Sequence, residues 1–125
     1  MNGRVVIADD DPDIRELVRI SAAKAGLVVV ADVEDGAAAW EAIQTSVPDL
    51  AILDVAMPGL AGVEVCRLVR AVDTLAAMHI ILLSAAADEA SRQRGIDAGA
   101  DAYLVKPFSP RDLVARLAEF GGGDR

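Results

Sequence analysis

The sequence has only one cysteine, Cys66, so the chain cannot form an internal disulfide bond. Its apolar runs are far shorter than the roughly 20 residues that cross a bilayer, and its N-terminus does not resemble a signal peptide. Basic residues are also scarce, with 12 Lys and Arg against 20 Asp and Glu and a net charge of −8. These deficits argue against a secreted disulfide-rich domain, a membrane protein and direct binding of nucleic acid, because phosphate backbones attract basic surfaces. We expect a cytoplasmic protein.

The length and composition indicate one globular domain. A chain of 125 residues, 54% of them hydrophobic, can bury a sizeable core. Cys66 lies close in sequence to Val65 and Val69 and is interpreted as a small core residue. We expect the domain to span residues 1–120, with the glycine-rich residues 121–125 as a flexible tail or a truncated linker.

Strand-like and helix-like patterns alternate five times along the chain. The predicted strands are residues 4–8, 27–31, 49–54, 79–83 and 102–106, and the predicted helices are residues 12–25, 36–46, 61–71, 88–98 and 110–120. The strands are apolar almost throughout, which is typical of a parallel sheet covered on both faces. Short connections imply right-handed crossovers, so the predicted fold class is α/β, a single doubly wound parallel sheet of five βα units.

Several helix ends are marked by residues with known end preferences. Asp11 and Ser109 each precede a proline, which is the pattern of an N-cap followed by proline at the first helical position. We therefore interpret Asp11 as a helix cap and not as a metal ligand. Gly26 and Gly99 stand where a helix must stop in a left-handed turn.

Charged side chains follow three of the predicted strands. Asp54 closes the third strand, Asp9, Asp10 and Asp11 follow the first, and Lys106 closes the last. The carboxyl ends of parallel strands are where open α/β sheets bind their ligands. If these strand ends are neighbours, the acids repel one another unless a cation joins them. The sequence therefore predicts a hard divalent metal beside a reactive aspartate.

The same residues can support phosphoryl transfer to a carboxylate. Mg²⁺ takes oxygen ligands, which the carboxylates of Asp10 and Asp54 and the main-chain carbonyl of Ala56 can supply. The charge on the transferred group must be neutralised at its equatorial oxygens. Lys106 can serve one of these oxygens, and the hydroxyl of Ser84, which closes the fourth strand, can bond another.

With these motifs in order, the chain resembles the receiver domain of two-component response regulators over about residues 4–120. The resemblance rests on residues 5–12 (VVIADDDP), 53–59 (LDVAMPG), 83–85 (LSA) and 99–108 (GADAYLVKPF). Each segment alone is a weak indication, but all four in this order and spacing are specific. The resemblance implies a flavodoxin-like sheet with strand order 2-1-3-4-5.

The resemblance also implies roles for individual residues. Asp54 would accept a phosphoryl group from a histidine kinase or a histidine phosphotransfer protein. Asp9 and Asp10 would be the acidic pair around Mg²⁺, and Lys106 would bridge to the phosphoryl group. The peptide bond before Pro107 would be cis.

Receiver domains act through a conformational switch, and the resemblance assigns its parts. Ser84 would be the switch hydroxyl, and Tyr103 the aromatic side chain that changes rotamer with it. The surface around the fourth helix, fifth strand and fifth helix would then control a downstream output protein or domain. A phosphorylation-dependent homodimer is a further partner that the resemblance allows.

Three features depart from the common pattern of the family. Ala61 stands where an aspartate often caps the third helix, so that helix is expected to lose a cap. His79, the only histidine, stands where proline is frequent, and it is expected to be neither a phosphoryl donor nor a ligand. Ala56 and Ala86 are apolar at two positions beside the phosphorylation site where polar side chains are common.

Two other functions use similar elements. A haloacid-dehalogenase-like phosphatase also has a strand-end Asp nucleophile, but it needs a second Asp two residues later, where this chain has Ala56. A flavodoxin-like electron carrier needs a phosphate-binding loop after the first strand, where residues 9–11 would repel a phosphate. We therefore expect a receiver and not an enzyme, either as a stand-alone regulator or as the N-terminal part of a longer one.

Overall fold

Five parallel strands form one sheet, and each strand is followed by a helix. The structure, a computed structural model, describes residues 3–119. The strands are β1 (Arg4–Ala8), β2 (Val28–Val33), β3 (Leu50–Asp54), β4 (His79–Ser84) and β5 (Ala102–Val105). The helices are α1 (Pro12–Lys24), α2 (Gly36–Ser46), α3 (Gly62–Ala71), α4 (Glu89–Asp97) and α5 (Pro110–Ala118). The sheet order is β2-β1-β3-β4-β5, which confirms the predicted α/β doubly wound, flavodoxin-like fold.

The largest boundary error concerns β2, which was predicted at residues 27–31 and lies at Val28–Val33. Leu27 belongs to the preceding turn, where its N–H donates to the carbonyl of Ala22. The strand instead continues through Asp32, whose polar side chain is tolerated because β2 is an edge strand.

Seven other predicted elements differ from the structure by one residue at one or both ends, counted over the described residues, mostly because the end residue is a cap or a turn residue. The affected predictions are the helices 12–25, 61–71, 88–98 and 110–120 and the strands 49–54, 79–83 and 102–106. In particular, Ser84 lies inside β4, whereas Lys106 follows the last residue of β5. The predicted tail, residues 121–125, lies outside the described residues.

The capping and turn residues that the sequence predicted agree with the structure. Asp11 caps α1 by accepting hydrogen bonds from the N–H groups of Asp13 and Ile14, and Ser109 caps α5. Gly26 and Gly99 have φ angles of 90° and 108°, the left-handed region that glycine adopts without strain.

Helix α3 begins without a side-chain N-cap, as the sequence predicted. Ala61 offers no side-chain cap, and its own N–H donates to the Glu64 carboxylate at 3.0 Å.

The helices cover both faces of the sheet. Helices α1 and α5 pack on one face through Val18, Ala22, Leu113 and Leu117. Helices α2 and α3 and the end of α4 pack on the other through Ala39, Ile43, Val65, Cys66, Val69 and Ala98. Cys66 is fully buried, as predicted, and burial raises the pKa of its thiol to about 11. Among the described helices, none is both long and apolar enough to cross a bilayer.

The sheet brings the carboxyl ends of β1, β3, β4 and β5 to one edge. Parallel pairing aligns Ala8 with Leu53 and Asp54 with Leu83. Beyond the last pairs, Lys106 N–H donates to the carbonyl of Ser84 at 2.8 Å. The residues that follow or close these strands are therefore neighbours, whereas His79 begins β4 at the opposite end.

A glycine allows the chain to pass close behind this edge. Gly62 opens α3 with its N–H donating to the carbonyl of Val55 at 3.0 Å. A Cβ atom at this position would overlap the main-chain carbonyl of Asp54. The absence of a side chain therefore lets α3 begin directly against the end of β3.

Candidate functional site

Three carboxylates meet at the carboxyl edge of the sheet. Asp9, Asp10 and Asp54 each offer an oxygen atom, and these oxygens lie within 4.8 Å of one another. Asp9 and Asp54 are buried, with 0% and 4% of their surface exposed, and Asp10 is exposed. The predicted acidic residues therefore converge, with one of them open to solvent.

Asp9 is held in place by its neighbours on both sides. Its main-chain N–H donates to the carbonyl of Val33 at 3.1 Å. Its Oδ1 atom accepts a hydrogen bond from the N–H of Asp11 at 2.9 Å. Its Oδ2 atom is buried and lies 2.9 Å from Nζ of Lys106, yet it receives no well-directed hydrogen bond from the described residues. Oδ2 of Asp9 is therefore held in position and can still accept a hydrogen bond or coordinate a cation.

Lys106 supplies a positive charge to the pocket. Its Nζ atom lies 2.9 Å from Oδ2 of Asp9 and 3.3 Å from Oδ1 of Asp54. The peptide bond between Lys106 and Pro107 is cis, as predicted. Burial opposes the charged ammonium, but the contacts with the two carboxylates outweigh burial, so the pKa of Lys106 is raised.

Asp54 lies in an environment that disfavours its ionised form. Burial and the nearby Asp9 carboxylate raise its pKa from 3.8 to about 6, although Lys106 and the N–H of Ala56 act in the opposite direction. The N–H of Ala56 lies 3.4 Å from Oδ1 of Asp54, at the limit of a hydrogen bond. One lysine therefore only partly neutralises the acidic group.

The donor set fits a hard divalent cation. All three side chains offer carboxylate oxygens, which Mg²⁺ and Ca²⁺ prefer, and no nitrogen or sulfur ligand belongs to the group. Among the described residues, none donates a well-directed hydrogen bond to the buried Oδ2 of Asp9, and the pKa of Asp54 is raised. A cation here would relieve the repulsion that Lys106 leaves, so these residues could bind a metal.

The predicted switch residues, Ser84 and Tyr103, both contact the loop that follows β4. Ser84 is buried, and its Oγ accepts a hydrogen bond from the N–H of Ala86 at 3.0 Å. The hydroxyl of Tyr103 donates to the carbonyl of Ala86 at 2.8 Å. On its other side the Tyr103 ring faces Gly95 of α4, where a Cβ atom would lie 3.0 Å from the ring. Ala86 thus joins the serine to the tyrosine.

Two residues near the site were not predicted from the sequence. Arg15 of α1 donates to the main-chain carbonyl of Asp9 at 2.9 Å and pairs with Asp32 of β2 at 2.8 Å. The sequence prediction ended the second strand before Asp32, which hid this pairing. The available signal was the continuation Asp32-Val33 after the valine run, which extends the strand to the edge that carries the site.

The raised pKa of Asp54 gives a prediction about stability. Because its folded-state pKa of about 6 exceeds the ordinary value of 3.8, ionisation destabilises the fold, and stability falls as pH rises from about 4 through about 6. Asp54→Asn removes this ionisation and should raise the free energy of unfolding by about 1–3 kcal/mol at pH 7.5 without metal. The gain should disappear near pH 4.

Urea denaturation in EDTA measures both effects. Asp73→Asn is the matched control, because Asp73 is exposed and lies outside the acidic group. If Asp54→Asn is no more stable than the parent at any pH between 5 and 8, ionisation of Asp54 does not destabilise the fold and the prediction is wrong.

The comparisons with known proteins agree with this geometry. The family described as the response regulator receiver domain matches residues 5–118. The chain is 46% identical over 117 residues to the transcriptional regulatory protein GltR of Pseudomonas aeruginosa. The match covers 93% of this chain and 48% of GltR. It spans about half the length of the curated relatives that it matches.

Solved structures of similar sequence have the same fold. The signal receiver domain of the response regulator NarL from Mycobacterium tuberculosis superposes with a TM-score of 0.86 at 36% identity, covering 94% of each chain. The BeF₃-activated DrrB receiver domain superposes with a TM-score of 0.81 at 30% identity, covering 96% of this chain and 97% of DrrB. The chain therefore belongs to the receiver domain family of two-component response regulators.

Proposed function

We propose that the domain accepts a phosphoryl group on Asp54 in a Mg²⁺-dependent reaction, and that this modification controls a partner or an output domain. The donor would be the phosphohistidine of a histidine kinase or a histidine phosphotransfer protein. The observation that carries the proposal is the burial of Asp54 beside two further carboxylates and one lysine.

The chemistry requires little from the protein beyond position and charge. A carboxylate oxygen of Asp54 forms a bond to phosphorus while the P–N bond of the donor breaks, and the imidazole leaves with the electron pair of that bond. Lys106, 3.3 Å from Asp54, would then contact an oxygen of the transferred group. The Ser84 hydroxyl can donate to another, because its oxygen already accepts from Ala86 and its proton remains available.

Asp9, Asp10, Asp54 and the main-chain carbonyl of Ala56 would hold Mg²⁺. When bound, the ion would neutralise charge on the phosphoryl oxygens. Ala56 is exposed in the turn directly after β3, so its carbonyl can serve without rearrangement of the sheet.

The site favours a phosphoacceptor over a phosphatase. Position 56, two residues after the acceptor, carries a methyl group that cannot protonate a leaving alcohol. We therefore infer that the domain is a signalling module and not an enzyme.

The relatives support an output outside this chain. GltR is a transcriptional regulatory protein about twice the length of this chain, since the match covers 48% of it. We propose that residues 1–120 form the receiver unit, that 121–125 begin a linker or tail, and that DNA binding, where it occurs, belongs to another domain. The net charge of −8 supports this division.

The switch would reach the surface through the loop after β4. On phosphorylation, Ser84 would move toward the new group and carry the Ala86 loop with it, and Tyr103 would follow because its hydroxyl bonds that loop. Helix α4 contacts the ring through Gly95, its one buried residue among those described. The surface of α4, β5 and α5, with exposed Ile96 and Val105, would then bind an output domain or a second copy.

The first prediction is that Asp54 alone is phosphorylated and that Mg²⁺ is required. Incubation with acetyl phosphate and Mg²⁺ should add one phosphoryl group, seen by intact mass, and EDTA should abolish the addition. Asp54→Asn should remain unmodified, whereas Asp73→Asn should behave as the parent. Equal labelling of Asp54→Asn and the parent would refute the assignment.

A second prediction concerns the coupling of Ser84 to Tyr103. Beryllofluoride with Mg²⁺, a mimic of the phosphoryl group, should shift the NMR resonances of Tyr103 and of α4 in the parent. Ser84→Ala should still bind the mimic but show much smaller shifts at Tyr103, because the link through Ala86 is broken. Identical Tyr103 shifts in the two proteins would count against the coupling.

The third prediction is a long-lived phosphorylated state. The methyl side chains of Ala56 and Ala86 cannot hydrogen-bond a water in line with the acyl phosphate, so side-chain positioning of that water is lost. One such hydrogen bond of about 1 kcal/mol corresponds to a roughly fivefold change in rate. Ala56→Asn with Ala86→Glu should therefore lose phosphate several-fold faster after the donor is removed. A decay no faster than that of the parent would overturn the idea.

A further inference from the structure

The β1–α1 turn is tied to the neighbouring strand by one arginine. Nη1 of Arg15 donates to the main-chain carbonyl of Asp9 at 2.9 Å, and its Nε lies 2.8 Å from Oδ1 of Asp32 in β2. The Arg15 side chain is 23% exposed and that of Asp32 is 30% exposed, so this bridge is largely shielded from solvent. The planar guanidinium can reach both partners at once, which a lysine ammonium does less well.

We propose that Arg15 is a positioning residue for the metal site. By bridging Asp9 and Asp32 it fixes the turn that presents the Asp9 and Asp10 carboxylates to a divalent cation. This inference rests on the proposed function, in which these two aspartates bind Mg²⁺.

The contacts of Asp9 explain why its carbonyl matters. Its N–H is bonded to the carbonyl of Val33, and its Oδ1 is bonded to the N–H of Asp11. The bond from Arg15 to its carbonyl fixes the remaining main-chain polar group of the residue. With the backbone held on both sides, Oδ2 stays directed into the pocket beside Lys106. A metal ion that binds there would find its ligand already placed, and groups that orient metal ligands commonly contribute 10- to 100-fold in affinity, roughly.

Simple electrostatics makes the opposite prediction, which gives the proposal a sharp test. Removing a positive charge near an acidic site should strengthen cation binding, because the site becomes more negative. Removing a positioning arginine should weaken it. The sign of the change therefore separates the two effects.

Arg19 offers a matched control on the same helix. It carries the same charge and approaches the same Asp32 at 3.8 Å, but its closer partner is Glu16 at 2.6 Å. Within the described part of the chain, its ion pairs are with Glu16 and Asp32. Arg19→Gln should therefore leave Mg²⁺ affinity unchanged or slightly raised.

The experiment is a calorimetric titration of the unphosphorylated protein with Mg²⁺ at fixed ionic strength. We expect Arg15→Gln to bind Mg²⁺ about 10-fold more weakly or worse. Arg15→Lys, which keeps the charge but lacks the planar fork that reaches both partners, should fall between Arg15→Gln and the parent. In acetyl phosphate reactions the Mg²⁺ concentration for half-maximal rate should rise in parallel, while the rate at saturating Mg²⁺ should stay within about threefold of the parent, because Arg15 does not contact the reacting atoms.

The outcomes are distinguishable. Arg15→Gln binding Mg²⁺ as tightly as the parent, or more tightly, overturns the inference alone. Equal weakening by Arg19→Gln also overturns it, since a shared loss would reflect charge or helix stability. If Arg15→Gln does not fold, the Mg²⁺ affinity of Arg15→Lys is compared with that of the parent instead, and an affinity equal to or higher than that of the parent overturns the inference. A parent whose Mg²⁺ affinity is unaffected by Asp10→Asn would instead overturn the proposed metal site, and the inference with it.

Discussion

Two carboxylates are buried at adjacent strand ends of this sheet with only one lysine between them. Asp9 and Asp54 are almost wholly removed from solvent, and Lys106 contacts both. Because a buried charge without full compensation destabilises a fold, the apolar strands and the covering helices must supply the stability that this pocket removes. The raised pKa of Asp54 is the measurable result of that conflict. A bound cation, with or without a phosphoryl group, would reduce the repulsion between these carboxylates.

Contacts with neighbouring residues position the two buried carboxylates, and further contacts run from Ser84 toward the surface. Arg15 and Asp32 hold the turn that carries Asp9, and the cis peptide before Pro107 follows Lys106 at the end of β5. On the other side, Ala86 accepts from Tyr103 and donates to Ser84. Ser84 is therefore linked through Ala86 and Tyr103 to α4, whose one buried residue among those described is Gly95. In the proposed function, this is the route by which a change of charge at Asp54 would reach the surface.

The sequence predicted the fold and the convergence of the strand-end acids, because both depend on local patterns. The apolar strands, the capping residues Asp11 and Ser109 and the strand-end acids can be identified without coordinates. The end of β2 was missed, because an edge strand can accept Asp32 once Arg15 from another element pairs with it. The link through Ala86 was also missed, since it uses main-chain atoms that any residue would offer. Contacts between different elements and contacts made by main-chain atoms are difficult to predict from a single sequence.

We expect repulsion between the carboxylates to destabilise the acidic pocket without a cation and a bound cation to remove that repulsion. The most direct measurement is the free energy of unfolding with 10 mM Mg²⁺ and with EDTA at pH 7.5. If the dissociation constant is near 1 mM, Mg²⁺ should stabilise the parent by roughly 1.4 kcal/mol. The gain should be absent in Asp10→Asn, whose carboxylate is exposed and whose loss should not disturb the core. An equal effect of Mg²⁺ on the two proteins, or none on the parent, would contradict the account.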